Sequence, residues 1–218
     1  MQEKLTKKEI KLFRRLNSPV KIQDFLNKIP INFEEDKIDT CMSPRKVLEK
    51  NKCHCIEGAM LAAAILKFHN QKPLILDMEG KENDWDHIIA VFKKDNKWGA
   101  ISKTNHSVLR YREPVYKNIR ELVMSYFHEY TDDKGNGNKT LRAFSSPVNL
   151  NRFNKINWMT SNKDLFEIPE YLAEIKHQKI LTNKQIKQLR KADKIERITG
   201  QLIEWKPNKR LRLDFIKQ

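Results

Sequence analysis

One cysteine and one histidine, Cys55 and His87, are the residues of this sequence whose types and positions could perform chemistry together. Cys55 opens the alanine-rich segment CIEGAMLAAAILKF, which predicts a helix. Unpaired backbone N–H groups and the positive end of the helix dipole favour a thiolate at such a position. His87 opens HIIAVF, which predicts a strand, and from a sheet edge its ring could take the thiol proton. The two residues therefore predict a cysteine nucleophile with a histidine base.

The same pair also has an ordinary structural interpretation. A free cysteine at a buried helix end is usually a core residue, and a lone histidine is usually a polar group with its hydrogen bonds satisfied. The types of the two residues do not by themselves decide between core packing and catalysis. The elements around them carry further information.

Those elements are a buried helix followed by short strands. The helix runs from Cys55 to Phe68 and has a face of small residues that allows another element to pack closely. Runs of branched and aromatic residues then predict strands, and KKDNK between the second and third predicts a hairpin. The predicted strands are LILDM at 74–78, HIIAVF at 87–92, WGAIS at 98–102 and VLRY at 108–111.

Helices are predicted on both sides of these strands. Capping signals and helical apolar spacing place them at about 7–16, 19–30, from Pro44 onward, from Pro114 onward, and as two basic helices joined near Thr182. This order predicts an α+β fold, with a central helix packed on an antiparallel sheet and helical N- and C-terminal extensions. We expect a single globular unit with a helical N-terminal segment at 1–50, a core at 51–150 and a basic, mainly helical extension at 151–218.

Three short motifs resemble the transglutaminase-like branch of the papain-type cysteine enzymes. They are CIEGA at 55–59, DHIIAVF at 86–92 and WGAIS at 98–102, and the resemblance covers roughly residues 50–112. It implies a papain/transglutaminase-like core in which Cys55 is the nucleophile and His87 is the base. In that family an acid at the end of the next strand orients the histidine.

The third position departs from the family pattern. Four residues after Trp98 the family usually has Asp, whereas this sequence has Ser102. If residue 93 faces residue 98 in the hairpin, Ser102 lies on the same face as His87. Asn105 would replace Ser102 as the third residue only if a β-bulge turned it to that face. A hydroxyl can hold the histidine tautomer but adds no negative charge, so the site could be weak or silent.

Three further residues are candidates for substrate binding. Trp85, beside the histidine, could form a wall of the cleft, although a buried tryptophan is more often core. Arg110 and Arg112 could clamp a substrate carboxylate or phosphate. The alternative is that they pair with Glu113 and Glu121 on the surface.

Composition limits the remaining classes of function. The chain has 218 residues, 43 Lys plus Arg against 28 Asp plus Glu, and a net charge of +15 concentrated in residues 1–52 and 151–218. That excess keeps nucleic acid as an alternative partner, although Lys-rich solvated faces would give the same count. Cys53, His54 and Cys55 could be metal ligands, but no second ligand pair follows at a suitable spacing, so we expect no metal and no cofactor. Three cysteines form no disulfide framework, and no apolar run is long enough to cross a bilayer, which predicts a cytoplasmic protein without a membrane partner.

The sequence thus predicts a monomeric enzyme that uses a thiol to hydrolyse, or transfer the acyl group of, an amide bond in a peptide or protein. Two alternatives stay open. The domain could be a catalytically silent transglutaminase-like binding module, which the missing Asp favours, or a nucleic-acid-associated protein that uses its basic termini.

Overall fold

Helices dominate the first third of the chain. The computed structural model describes residues 4–34, 38–82, 84–132, 135–207 and 209–210; the ends of the predicted N- and C-terminal segments, 1–3 and 211–218, lie outside these ranges. Thr6 and Glu9 form the predicted capping box, and Ser18 and Ser43 cap helices that have proline in the first turn. The four helices are α1 (Lys7–Arg15), α2 (Pro19–Lys28), α3 (Pro44–Lys50) and α4 (Cys55–Phe68).

A seven-stranded sheet follows, and every pairing in it is antiparallel. The strand order is β4-β3-β2-β1-β5-β7, with β6 also pairing with β1. The hairpin has the predicted register, with Lys93 opposite Trp98. The strands are β1 (Leu74–Glu79), β2 (His87–Lys94), β3 (Lys97–Ile101), β4 (Arg112–Tyr116), β5 (Ala143–Ser145), β6 (Val148–Asn149) and β7 (His177–Lys179).

The core has two apolar layers, one on each face of the sheet. One contains the whole buried length of α4 together with Phe13, Leu26 and Val47 of the first three helices. The other contains Tyr126 and side chains of the helix α5 (Ile119–Met124). Burial of the small-residue helix α4 against β1 and β2 fixes its N-terminus at the edge where β2 begins.

The remaining elements are short. They are a 3₁₀ helix (Leu150–Ile156), α6 (Glu167–Glu174), α7 (Asn183–Lys187), α8 (Lys194–Gly200) and the two-stranded hairpin β8 (Trp205–Lys206) with β9 (Lys209–Arg210). Within the described ranges, no helix combines the length and the apolar character that a membrane crossing requires.

The structure confirms the α+β class but corrects three local expectations. The fourth strand is 112–116 rather than 108–111, and it includes Pro114, which was expected to open a helix. Proline is tolerated there because β4 is an edge strand. The following helix instead begins at Ile119, where the Asn118 side chain accepts a hydrogen bond from Glu121 N at 2.9 Å. The C-terminal extension also contributes β7 to the sheet.

Candidate active site

The N-terminus of α4 carries the candidate nucleophile. Cys55 is the first residue of the helix and His54 is its N-cap. Antiparallel pairing of β2 with β1 places His87 opposite Met78, at the end of the sheet beside this helix terminus. The side chains of His87 and His54 line the same cleft as Cys55 and are close enough to its thiol to lower its pKa. The structure therefore brings the two residues singled out in the sequence together, and it adds a second histidine.

Ser102 holds the ring of His87. Its Oγ lies 2.8 Å from His87 Nε2, and the same hydroxyl donates to the carbonyl oxygen of Leu109 at 2.5 Å. A serine hydroxyl has one proton, which the Leu109 carbonyl takes up, so His87 Nε2 must be the donor in the other contact. The Nδ1 atom of His87 is then the nitrogen available to Cys55.

A side chain from α2 holds Ser102 in turn. Gln23 receives a hydrogen bond from Ser102 N at 2.9 Å and donates one to Ser102 O at 2.8 Å. Ser102 is only 1% exposed, so it has little room to leave the histidine. This contact between strand and helix was not expected from the sequence, because Gln23 looks like an ordinary surface position of an amphipathic helix.

The two histidines lower the pKa of the Cys55 thiol. Burial by itself raises this pKa, but hydrogen bonds and charge interactions with His54 and His87 outweigh burial and bring it from 9.0 to about 5. Burial raises the pKa of Cys53 to about 12 and also raises that of Cys41. Cys55 is therefore the one cysteine of the three whose surroundings favour the thiolate.

A close approach between α4 and the chain after β3 positions Ser102. A Cβ added at Gly58 would lie 2.5 Å from Lys103 Cβ, so only glycine fits in this turn of the helix. Lys103 is 2% exposed, and its Nζ donates to the carbonyl oxygens of Leu26, at 3.0 Å, and of Ile29. The lysine thereby caps the C-terminal end of α2. Contacts of Lys103 with Gly58 of α4 and with the end of α2 therefore fix the position of the chain at Ser102.

The carboxylate of Glu57 anchors the segment before α3 to the same helix turn. It is fully buried and accepts hydrogen bonds from the backbone N–H groups of His54 and Met42, each at 2.9 Å, and from Thr40 Oγ1 at 2.9 Å. Sequence reasoning missed both His54 and Glu57. The signal was present, since they occupy the N-cap and N3 positions of the helix, where a glutamate at N3 bonds the backbone N–H of the N-cap residue.

Cys55 and His87 open into a cleft of about 560 Å³. Trp85 lies on its rim and is 77% exposed, so it is a wall residue rather than a core residue. Other side chains that line the cleft are Phe33, Glu34, Asp84, Asp86 and Tyr130.

Three other candidates have partners elsewhere. Arg110 and Arg112 do not line the cleft; they pair with Glu204, at 3.4 Å, and with Glu129, at 2.7 Å. Ion pairing was the alternative expected for these arginines, with Glu113 and Glu121 as the partners, and the structure supplies different acids. Asn105 does not replace Ser102, because its side-chain amide bonds to both the N–H and the carbonyl of Trp205.

The arrangement has the parts needed for acyl chemistry at a thiol: a cysteine with a lowered pKa, a histidine in a fixed tautomer, the N–H groups of a helix start and an open cleft. In the described part of the chain, no group of three or more His, Cys, Asp or Glu side chains is arranged to hold a metal ion. No protein-family model matches this sequence, and no curated protein is significantly similar to it. The chemistry must therefore be argued from the geometry.

Proposed function

We propose that this protein is a thiol-dependent enzyme that cleaves an amide bond in a peptide or protein, or transfers its acyl group, on a papain/transglutaminase-like core. Cys55 is the nucleophile, His87 is the acid and base, and Ser102 holds His87 in position. The observation that carries the proposal is the placement of Cys55 and His87 in one cleft, with the ring of His87 held by Ser102 Oγ at 2.8 Å.

The reaction follows from these positions. The thiolate of Cys55 attacks the amide carbonyl carbon, a C–S bond forms, and the oxygen takes the negative charge beside the N–H groups that begin α4. His87 Nδ1 gives a proton to the amine nitrogen as the C–N bond breaks, which leaves a thioester. Water then gives a proton to His87 and attacks the thioester, so a carboxylic acid leaves and the thiolate returns. The proton gained in this step serves the next cycle, and an amine in place of water gives acyl transfer.

The first test is selective labelling. We expect iodoacetamide at neutral pH to modify Cys55 before Cys41 and Cys53, because both of the others are buried with raised pKa values. Mass mapping of the native protein after brief exposure gives the order. Labelling of Cys41 or Cys53 first would remove Cys55 as the nucleophile.

The second test is turnover on a library of peptide amides, with hydroxylamine present to trap a thioester as the hydroxamate. Cys55→Ala should abolish amine release and hydroxamate formation together, since both pass through the same C–S bond. Cys41→Ala removes a buried cysteine outside the site, so it is the matched control and should retain both signals. Amine release that survives in Cys55→Ala would contradict the mechanism.

A second candidate function has one observation in its favour. Ser102 is neutral, so His87 lacks the carboxylate that would stabilise its charged form, and a domain with this site can serve as a silent binding module. Preferential labelling of Cys55 without turnover on any peptide amide is the result that would establish this alternative.

A further inference from the structure

The ring of His54 is surrounded by hydrogen-bond acceptors. Its Nε2 lies 3.0 Å from the carbonyl oxygen of Thr40, 3.4 Å from Glu57 Oε1 and 3.5 Å from Glu34 Oε1. Because a carbonyl and two carboxylates only accept hydrogen bonds, Nε2 carries a proton in every charge state of the ring. Nδ1 is therefore the nitrogen that gains or loses the second proton. The same imidazole lines the cleft beside Cys55, the next residue in the chain.

His87 has the opposite kind of surroundings. Its fixed partner is the neutral hydroxyl of Ser102, and among the described residues no carboxylate lies within ion-pair distance of its ring. A neutral partner orients a histidine without stabilising its cation. The acids that a cysteine and histidine pair would need are grouped around His54 instead.

Asp84 and Asp86 line the same cleft without forming an ion pair with either histidine, and the other titratable groups near the thiol are uncharged or have partners of their own. Burial raises the pKa values of Cys41, Cys53 and Tyr130, so all three are uncharged. Asp77 on β1 is close enough to interact electrostatically with Cys55, but its carboxylate is paired with His177 at 3.0 Å. Lys103 is directed to the carbonyl oxygens of Leu26 and Ile29 at the end of α2.

We propose that His54 is a cation beside Cys55 that holds it as a thiolate whether or not His87 carries its second proton. His54 then stabilises the thiolate, and His87 transfers the proton. The inference deepens the proposed function, since it concerns how the same nucleophile is kept ready. In agreement with the geometry, burial lowers the pKa of His54, but its contacts with Cys55, Glu57 and Thr40 outweigh burial and raise it to about 9.

The test is the pH profile of Cys55 alkylation by iodoacetamide from about pH 4 to pH 10. His54→Gln keeps an N–H donor for the Thr40 carbonyl and removes the charge, so we expect the midpoint to rise by about two pH units and labelling at pH 6 to slow roughly tenfold or more. The rate at the alkaline plateau should equal that of wild type. His87→Ala should shift the midpoint less than His54→Gln does.

Two further variants separate charge from structure. His54→Lys restores a cation among the same acceptors and should bring the midpoint back below that of His54→Gln. His69→Gln is the matched control, because His69 caps the other end of α4 and its Nε2 lies 2.8 Å from the Phe13 carbonyl oxygen. It should leave the profile unchanged.

A wild-type measurement does not depend on any variant folding. Nitrogen-15 NMR of the histidine rings at pH 7.5 should show His54 with protons on both nitrogens. A neutral His54 ring, a His54→Gln profile that matches wild type, or a larger shift in His87→Ala would each overturn the inference while leaving Cys55 as nucleophile. Labelling of another cysteine first would instead remove the proposed function.

Discussion

At the scale of the residue, Ser102 has to do two opposite things. It accepts a hydrogen bond from His87 Nε2 and donates one to the carbonyl oxygen of Leu109. A hydroxyl can do both at once, whereas an ionised carboxylate can only accept. An aspartate, which the resembled family has at this position, would therefore place a negative carboxylate oxygen against the partially negative carbonyl oxygen of Leu109. Serine suits this site because the carbonyl oxygen of Leu109 lies within hydrogen-bond distance of its hydroxyl.

Ser102→Asp is therefore expected to weaken the protein rather than to improve the site. The new carboxyl would be buried and would donate to Leu109 only when protonated, so its folded-state pKa is raised. A raised pKa gives stability that is present at low pH and is lost as the pH rises through it. We expect urea unfolding to show a loss of about 2–4 kcal/mol at pH 8 and a smaller loss at pH 4.

The matched variant is Ser102→Thr, which keeps the hydroxyl and both hydrogen bonds. Its stability should depend on pH as that of wild type does. Amide turnover should fall in Ser102→Asp, because the displaced side chain no longer fixes the tautomer of His87. Wild-type stability at pH 8 together with faster turnover in Ser102→Asp would show that the Leu109 contact is unimportant.

At the scale of the element, the sequence determines α4 and the hairpin because each is a local pattern. An alanine-rich run without proline predicts Cys55–Phe68, and the short polar turn sets the register between β2 and β3. The strand 112–116 was missed because Pro114 is a helix-opening signal unless an edge position is known. Edge positions depend on strand order, which is a property of the whole sheet.

Gly58 allows the close approach between α4 and the chain that follows β3. Gly58→Ala would place a methyl group 2.5 Å from Lys103 Cβ, so the chain after β3 must move away from α4 and take Ser102 with it. We expect a loss of about 1–3 kcal/mol in the free energy of unfolding and slower labelling of Cys55 at neutral pH.

Gly200→Ala is the control for Gly58→Ala. Gly200 also lies in a helix, and the nearest atom to an added Cβ, Thr131 Oγ1, is at 3.8 Å. Its stability and its Cys55 labelling should both stay close to wild type. Equal behaviour of the two variants would mean that the Gly58 contact does not position the site.

At the scale of the whole molecule, the C-terminal segment is attached to the loop that follows Ser102. The carbonyl oxygens of Thr199 and Gly200 accept hydrogen bonds from Ser107 Oγ and His106 Nδ1, and Leu202 O accepts one from Ser107 N. These partners are more than 90 residues apart in the chain, and Gln23 and Ser102 are 79 residues apart. Periodicity and capping therefore predict the elements but not the long-range contacts that complete the site.

Asn105 is the strongest point of that attachment. Its amide donates to Trp205 O at 3.0 Å and accepts from Trp205 N at 2.8 Å, as a strand neighbour would. Asn105→Ala removes both bonds and leaves a largely buried backbone unpaired, so we expect the local opening of residues 199–207 to become easier by about 1–3 kcal/mol. Chymotrypsin cleavage after Trp205 in the native protein should accelerate roughly tenfold.

The labelling rate of Cys55 in the same variant tells whether the C-terminal segment builds the site or only docks beside it. Ser102 keeps its bonds to Gln23 and Leu109 when Asn105 is replaced, so we expect that rate to stay within about twofold of wild type. Asn17→Ala, which removes an exposed contact with Lys21, controls for the loss of a surface amide. Cleavage no faster than in Asn17→Ala would show that Asn105 does not hold the segment. A large fall in Cys55 labelling would instead make the C-terminal segment part of the catalytic scaffold.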